Sequence, residues 1–389
     1  MKPVTGHIKL MVYEWKKLIF FPALWGFLCL CLVLNILVIF NTSPHIRNDF
    51  QTISRLTARL GQQVDGTFSE KLAEDMSLED AEKLLPYLSE MTDIYEAYDT
   101  DSLAKYYTGI TAASPAAVRL ISWKYNLLQS SVNTLAARDA AMDLYAGPAT
   151  PYSHEFLFGT LIPMITAESI LLGSLAILWL LGRERQNKTA LAFAATCTGR
   201  KLQGIKILAG ALAVLALYCC LCGISLGLYF TQWDYSGIWD ASVSSQFNVV
   251  SDLLVQKPFL TWAPMTVARY LWAMLLMGGI LVLIFTLTAA AAGTLIPNTY
   301  MAALALIAFY LAIYTALGAS TGAGFWLVYF ILCSSPVSLW LSMDVWFTEM
   351  GIWSVIPWHE TVCCTLNLVL VLALVAFAVR RFQRKDMIL

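Results

Sequence analysis

Six stretches of this chain are apolar for about the 20 residues a helix needs to cross a bilayer: roughly 18–40, 157–181, 205–230, 266–293, 299–318 and 361–380. Nothing else constrains the fold as strongly. In hydrocarbon a chain must satisfy its backbone polar groups internally, which leaves helices or a closed barrel. The composition agrees, with 58% hydrophobic and 13% charged residues, against about half and a quarter in soluble domains. Three basic clusters set the orientation. Lys2, Lys9, Lys16 and Lys17 precede the first stretch. Arg183, Arg185, Lys188, Arg200, Lys201 and Lys206 separate the second from the third. Arg380, Arg381, Arg384 and Lys385 follow the last. The positive-inside rule places all three clusters in the cytoplasm, so the number of crossings is even. The expectation is an all-α membrane protein with six transmembrane helices, multi-pass in a bacterial cell membrane, both termini cytoplasmic.

A further apolar stretch, 322–343, would make the count odd. Gly318, Gly322 and Gly324 precede it, and Ser334, Ser335 and Pro336 interrupt it. Such backbone is tolerated at membrane depth only where it packs in protein or lines a cavity. It reads as a re-entrant segment before helix 6, entering from the outer face; the alternative is a seventh crossing with one terminus outside. At the other end of the chain, residues 1–17 read as an amphipathic elbow helix. Ile8, Met11, Val12 and Trp15 share one face, and Lys9, Glu14, Lys16 and Lys17 lie off it. Transmembrane helix 1 follows over 18–41, with Pro22 marking the bend. Its apolar run is too long for a signal sequence and no small-residue cleavage site follows, so it reads as an uncleaved span.

Residues 42–155 form the one sizeable polar domain. Between His45 and Glu155 sixteen acidic residues face nine basic ones, a net charge of about −7. Apolar residues recur at helical spacing (Ile53, Leu56, Leu60; Leu84, Leu88, Met91), Ser77 to Asp80 reads as a helix start, and Pro86, Pro115, Pro148 and Pro151 punctuate the segment. It reads as a helical extracellular domain between helices 1 and 2. The remainder, 156–389, holds helices 2–6. The nine cysteines avoid the polar domain, so no disulfide framework holds it.

Catalytic and metal chemistry find no constellation. His7, His45, His154 and His359 are scattered, and Cys363 and Cys364 face different sides of a helix. The run Gly182-Arg-Glu-Arg-Gln-Asn-Lys-Thr189 approaches a phosphate-binding loop, but Asn187 replaces its second glycine and it follows a membrane helix instead of a strand. The chain therefore has no expected ATP site, metal or nucleic-acid partner of its own. Glu168 stands out inside the second span. An ionised carboxyl at that depth costs at least about 2.5 kcal/mol unless it is paired or reaches water. Arg269, near the start of the fourth span, is its candidate partner. The pair would line a polar seam at a functional interface, or serve as a structural ion pair.

Residues 182–204 link the second and third spans. They contain Glu184 and Thr189, then a mildly apolar turn or two, then Gly199-Arg200-Lys201, with Lys206 leading into the next span. This pattern resembles type-2 ABC exporter permeases, which carry a glutamate and a threonine after the second span and a Gly-Arg-Lys-like turn before the third. The order of elements is similar along the whole chain. The resemblance implies that 182–204 forms a coupling helix, with Glu184, Thr189, Gly199, Arg200, Lys201 and Lys206 meeting a separate ATPase subunit that binds ATP and Mg. It also implies pairing with a second permease, as a homo- or heterodimer, and export or extraction of an amphipathic substrate such as a peptide antibiotic, drug or lipid. The alternative is a non-transport subunit that passes ATPase strokes to the outer domain for signalling or envelope remodelling. The orientation is testable. Single cysteines introduced at Thr100 and Met387 in a cysteine-free background should react with an impermeant thiol reagent from opposite sides; labelling of both from one side would overturn the assignment.

Overall fold

The computed structural model describes residues 2–75, 86–110, 115–189, 202–252 and 255–384. About 77% of it is helical. Among the described residues, six helical runs are long and apolar enough to cross a membrane: Pro22–Phe40, Gly147–Gln186, Leu202–Gln232, Val267–Leu295, Thr299–Gly322 and His359–Arg384. They match the six apolar stretches in number and order.

The chain opens with α1 (Lys2–Ile19), breaks at Phe20 and Phe21, and continues as α2 (Pro22–Phe40). The break follows from Pro22, which lacks an N–H and so starts a helix more easily than it continues one. The boundary expected at 17/18 therefore falls two to three residues later. Along α1, Glu14 and Leu18 are buried against the bundle, whereas Ile8, Val12 and Ile19 form an exposed stripe. An apolar stripe turned away from the protein suits a helix lying at a membrane surface.

The second membrane-length run starts in the polar domain. A 3-10 turn at Gly147–Ala149, α7 (Thr150–His154) and a π-helical turn at Glu155–Leu161 lead into α8 (Ile162–Gln186). The expected boundary at 155/156 is thus continuous helix. Pro148, Pro151 and Pro163 do not break it, because each falls in the first turn of a segment. The wider π turn provides the register change.

Helix α10 (Val267–Leu295) is the axis of the bundle. It packs against α8, α9 (Leu202–Gln232), α11 (Thr299–Gly322) and α14 (His359–Arg384). Its most apolar window is 67% buried, against 11% for α11 and 17% for α14. The close approach of α8, α9 and α10 requires Gly173: a Cβ there would meet Thr286 Oγ1 of α10 at 2.5 Å and Val214 of α9 at 2.8 Å.

The polar domain comprises α3 (Pro44–Leu60), α4 (Gly66–Asp75), α5 (Asp101–Ile110) and α6 (Pro115–Ala136). The expected helix start at Ser77 lies outside the described residues. Residues 233–266, which connect α9 to α10, pack onto this domain and carry an antiparallel hairpin, β1 (Val249–Asp252) with β2 (Val255–Pro258). The Gly237 amide meets Ser54 Oγ at 3.3 Å, so closely that a Cβ at Gly237 would overlap the Ser54 carbonyl. Asp143 accepts from the Ser242 amide at 2.6 Å. Burial pushes its carboxyl up to about 6, against the pull of that hydrogen bond.

The interrupted stretch after α11 forms two short helices, α12 (Trp326–Cys333) and α13 (Pro336–Leu341), joined at Ser334 and Ser335. Neither is long enough to cross a bilayer. The Ser334 carbonyl accepts from Asn367, two turns into α14, and Trp340 Nε1 donates to the Pro163 carbonyl. The turn is thus half-buried between helices, where its backbone groups find protein partners. Trp326, Tyr329, Phe330 and Cys333 share a core with Leu103, Tyr107, Tyr125 and Leu128 of the polar domain.

A charged cluster fastens that junction. Glu349 accepts from Lys124 at 3.1 Å, from Tyr125 at 2.7 Å, and from Lys257, while Lys124 also donates to the carbonyls of Glu349, Gly351 and Ser354. Lys124, Lys257 and Glu349 are all at least nine-tenths buried. Burial would push the Glu349 carboxyl up, but Lys257 and Lys124 outweigh it and hold the group well below the usual glutamate range. The stability this contributes is full above that range and falls away as the pH drops through and below it. Glu349→Gln removes the anion from between two buried ammoniums. It should cost about 3–5 kcal/mol, seen as a lower unfolding midpoint of the purified protein in detergent. A midpoint equal to wild type would mean that the cluster holds nothing.

Candidate functional site

Two polar constellations and a groove occupy the membrane part. The first lies at the basic end, where α8 stops and α9 begins. Glu184, in the last turn of α8, accepts from Lys17 of α1 at 3.0 Å and from Lys206 of α9. Lys17 also bonds Glu14 at 2.6 Å and lies over the Tyr13 ring. One carboxylate thus ties three helices, and Trp15 Nε1 adds a bond from α1 to the Ala209 carbonyl of α9 at 2.8 Å. Glu14 and Lys206 are almost fully buried, so water competes little for these pairs.

Thr189 has a local task. The Thr189 amide donates to the Glu184 carbonyl and the Lys188 amide to the Arg185 carbonyl, with Lys188 at φ +57°. That is a Schellman ending with lysine where glycine is usual. Arg185 reaches across to the last carbonyls of α10, donating to Pro297 O at 2.8 Å. It closes the end of a neighbouring helix and interacts favourably with that helix's dipole. Of the residues expected to couple to an ATPase, Glu184, Thr189 and Lys206 are brought together; Gly199, Arg200 and Lys201 lie outside the described residues. Glu14, Lys17 and Arg185 belong to the same constellation and went unpaired in the sequence reading.

The second constellation is midway along the bundle. Asn35 of α2 donates to Glu168 Oε2 at 2.9 Å and reaches Ser225 Oγ of α9 at 3.0 Å. Asn35, Glu168 and Ser225 are all buried, and Glu168 Oε1 has no hydrogen-bond partner among the described residues. The expected Glu168–Arg269 pair does not form. Arg269 is an exposed residue in the first turn of α10. Gly278 of α10 faces Thr166, two residues from Glu168, so Arg269 stands nine residues, or about 13 Å, nearer the helix end. An amide from α2 is the partner instead.

The groove runs between α8 and α11. It has a volume of about 780 Å³ and is walled by Ile170, Leu171, Leu175, Leu178, Leu306 and Ile307, with Trp340 and Val337 toward the polar-domain end. Phe21, Trp179, Gln186, Thr299 and Tyr300 line its basic end. The helices that frame it touch at Gly182, where a Cβ would strike Thr299 Oγ1.

Compared with known proteins, the chain matches no family model, no curated protein and no solved structure. The functional reading therefore rests on these residues. The first constellation makes a direct prediction. Glu184→Gln leaves Lys17 and Lys206 without their shared anion, so α1 should loosen from α8 and α9. Amide hydrogen exchange over residues 8–19 should rise at least several-fold, with little change in α10. Equal exchange in variant and wild type would show that the apolar contacts of α1 suffice.

Proposed function

We propose that the chain is the membrane-spanning subunit of an ATP-driven exporter, built like the type-2 ABC permeases, with the ATPase on a separate polypeptide. The observation that carries this reading is the Glu184 network. It joins the N-terminal helix, the end of the second span and the start of the third at the one place where the resemblance expects force to enter. A push on the link between α8 and α9 would act on both helices at once, and on α1 through Lys17. The groove beside α8 supports an amphipathic cargo, because it is long, apolar and open to the side. The exposed face of α11 supports pairing with a second permease, since a span buried so little within one chain is free to meet lipid or a partner.

On this reading the basic clusters and both termini are cytoplasmic, and the polar domain with residues 233–266 is extracellular. The two short helices α12 and α13 form a re-entrant hairpin on the outer side, and α1 is the elbow lying in the cytoplasmic interface. ATP and Mg bind the partner ATPase.

A second reading, transmission of ATPase strokes to the outer domain without transport, is favoured by the Lys124–Glu349–Lys257 cluster. It locks the polar domain to the segment just ahead of α14, so movement of the bundle would move the domain. Hydrolysis stimulated by small amphipathic compounds supports export; hydrolysis that answers only to a protein partner supports signalling.

The decisive test is charge reversal in the coupling segment. Arg200→Glu with Lys201→Glu replaces attraction to a complementary groove by repulsion, worth several kcal/mol. The variant should fold and insert, yet lose co-purification with the ATPase or lose substrate-stimulated hydrolysis. If association and hydrolysis match wild type, the segment is a topology signal alone and the exporter reading loses its mechanism.

A further inference from the structure

We propose that the groove between α8 and α11 binds a membrane phospholipid with an anionic headgroup, its phosphate held by Arg183 and its chains lying along Leu171, Leu175 and Ile307. This deepens the exporter reading by naming a substrate class and the end from which it loads. The binding step itself needs no ATPase.

Shape comes first. From Ala167 to Gln186 the α8 wall runs 19 residues, about 28 Å at 1.5 Å per residue, close to the roughly 30 Å of a bilayer's hydrocarbon. The walls between are almost wholly apolar. Leu304, Ile307 and Leu311 are exposed on α11, so none of the described residues separates this side of the groove from surrounding lipid.

Charge then selects an anion. At the basic end Trp179 forms part of the wall, stacks on Phe21 with ring centroids 4.1 Å apart, and carries the Arg183 guanidinium 4.9 Å from its own centroid. Arg183 is one helical turn from both Trp179 and Gln186. Its neighbours are engaged: Lys17 and Lys206 with Glu184, Arg185 with the carbonyls that end α10. Among the described residues, Arg183 Nη1 is buried and has no acceptor. A buried donor left unmade is costly, and this one rests on Trp179, a residue of the groove wall. The ligand that completes it carries an acceptor of negative charge and an apolar tail. A phosphate suits the flat, multiply donating guanidinium. A helix from a second copy would fill the apolar walls but leave Arg183 as it is, so the lipid is the occupant the geometry favours.

The purified chain, without ATPase, is reconstituted with phosphatidylglycerol or phosphatidylcholine bearing a photoreactive acyl chain, and the cross-linked peptides are mapped. Phosphatidylglycerol should label 167–186 and 299–310 in preference to phosphatidylcholine. Arg183→Gln should weaken phosphatidylglycerol labelling about tenfold, the loss of one charged hydrogen bond, and weaken phosphatidylcholine labelling less, because its choline cation already offsets the shared phosphate, so that the preference between the two lipids narrows. Arg183→Lys should restore most of it. Ala303→Trp, which fills the groove, should abolish labelling by both. The proposal is overturned if label spreads evenly over the exposed faces of α11 and α14, if Arg183→Gln labels like wild type, or if the groove peptides cross-link to a second copy instead of lipid. Loss of the site with ATPase co-purification intact sinks the lipid assignment alone. A labelled site with no ATPase association sinks the exporter reading alone.

Discussion

A charge taken out of water must find its compensation in the protein, and the arrangement of this bundle follows from how Glu184, Glu349 and Glu168 find theirs. Glu184 gathers Lys17 and Lys206, so three helices converge on one carboxylate. Glu349 gathers Lys124 and Lys257, so the polar domain, the hairpin loop and the approach to α14 converge on another. Among the described residues Glu168 has only an amide, from Asn35. Pairing by cations at both ends and by an amide in the middle reflects the medium. A buried pair is strongly coupled only where both partners are held in place and hydrogen-bonded, and fixed lysines are easier to supply near the ends of spans than at their centre.

These three anchors divide the molecule into firm and yielding parts. Helices α8 and α10 form the firm centre, closed by Gly173 and by the deep burial of α10. The breaks lie around them: Phe20 and Phe21 between α1 and α2, the π turn at Glu155–Leu161, and Ser334 with Ser335 between α12 and α13. Each break precedes or follows an anchor in the chain. Phe20 and Phe21 follow Lys17 closely in the chain, the π turn ends seven residues before Glu168, and α13 ends eight residues before Glu349. Motion at a break is therefore transmitted to an anchor, and from it to helices distant in sequence.

How much of this the sequence discloses depends on the range of the interaction. The six spans and the interruption at Ser334–Pro336 follow from composition over about 20 residues, and the structure has them in order. Pro22 ends a helix by local sterics and is visible as such. Thr189 acts on Glu184 through a turn of the same helix, so its relevance could be seen nearby. Lys17 and Glu184 are 167 residues apart, and Lys124 and Glu349 are 225 apart. No local pattern joins them. The Arg269 assignment failed for a related reason. Opposite charge suggested a partner, but the axial offset between α8 and α10 exists only once the helices are packed, and a neutral Asn35 proved sufficient. The hairpin at 249–258 was missed because its strands are only four residues each and are held by the polar domain more than by their own propensity.

The groove and the Glu184 network are not independent features. Phe21 belongs to the break between α1 and α2, and it also stacks on Trp179 in the wall of the groove. Lys17, one turn earlier in the chain, is tied to Glu184, the residue next to Arg183. A displacement of the α8–α9 link large enough to separate Glu184 from Lys17 would release α1, and with it the hinge that presses Phe21 against Trp179. The Arg183 guanidinium rests on that same ring. It would lose its platform in the same movement, and an anion held there would lose affinity without any change in the apolar walls. On the exporter reading, force applied at the basic end thus reaches a bound amphiphile by way of its headgroup. This ordering is physically economical. The headgroup bond is directional and lost over a fraction of an ångström, whereas apolar contact is non-directional and scales with area, so a small movement releases the first while the second still guides the chain along the groove.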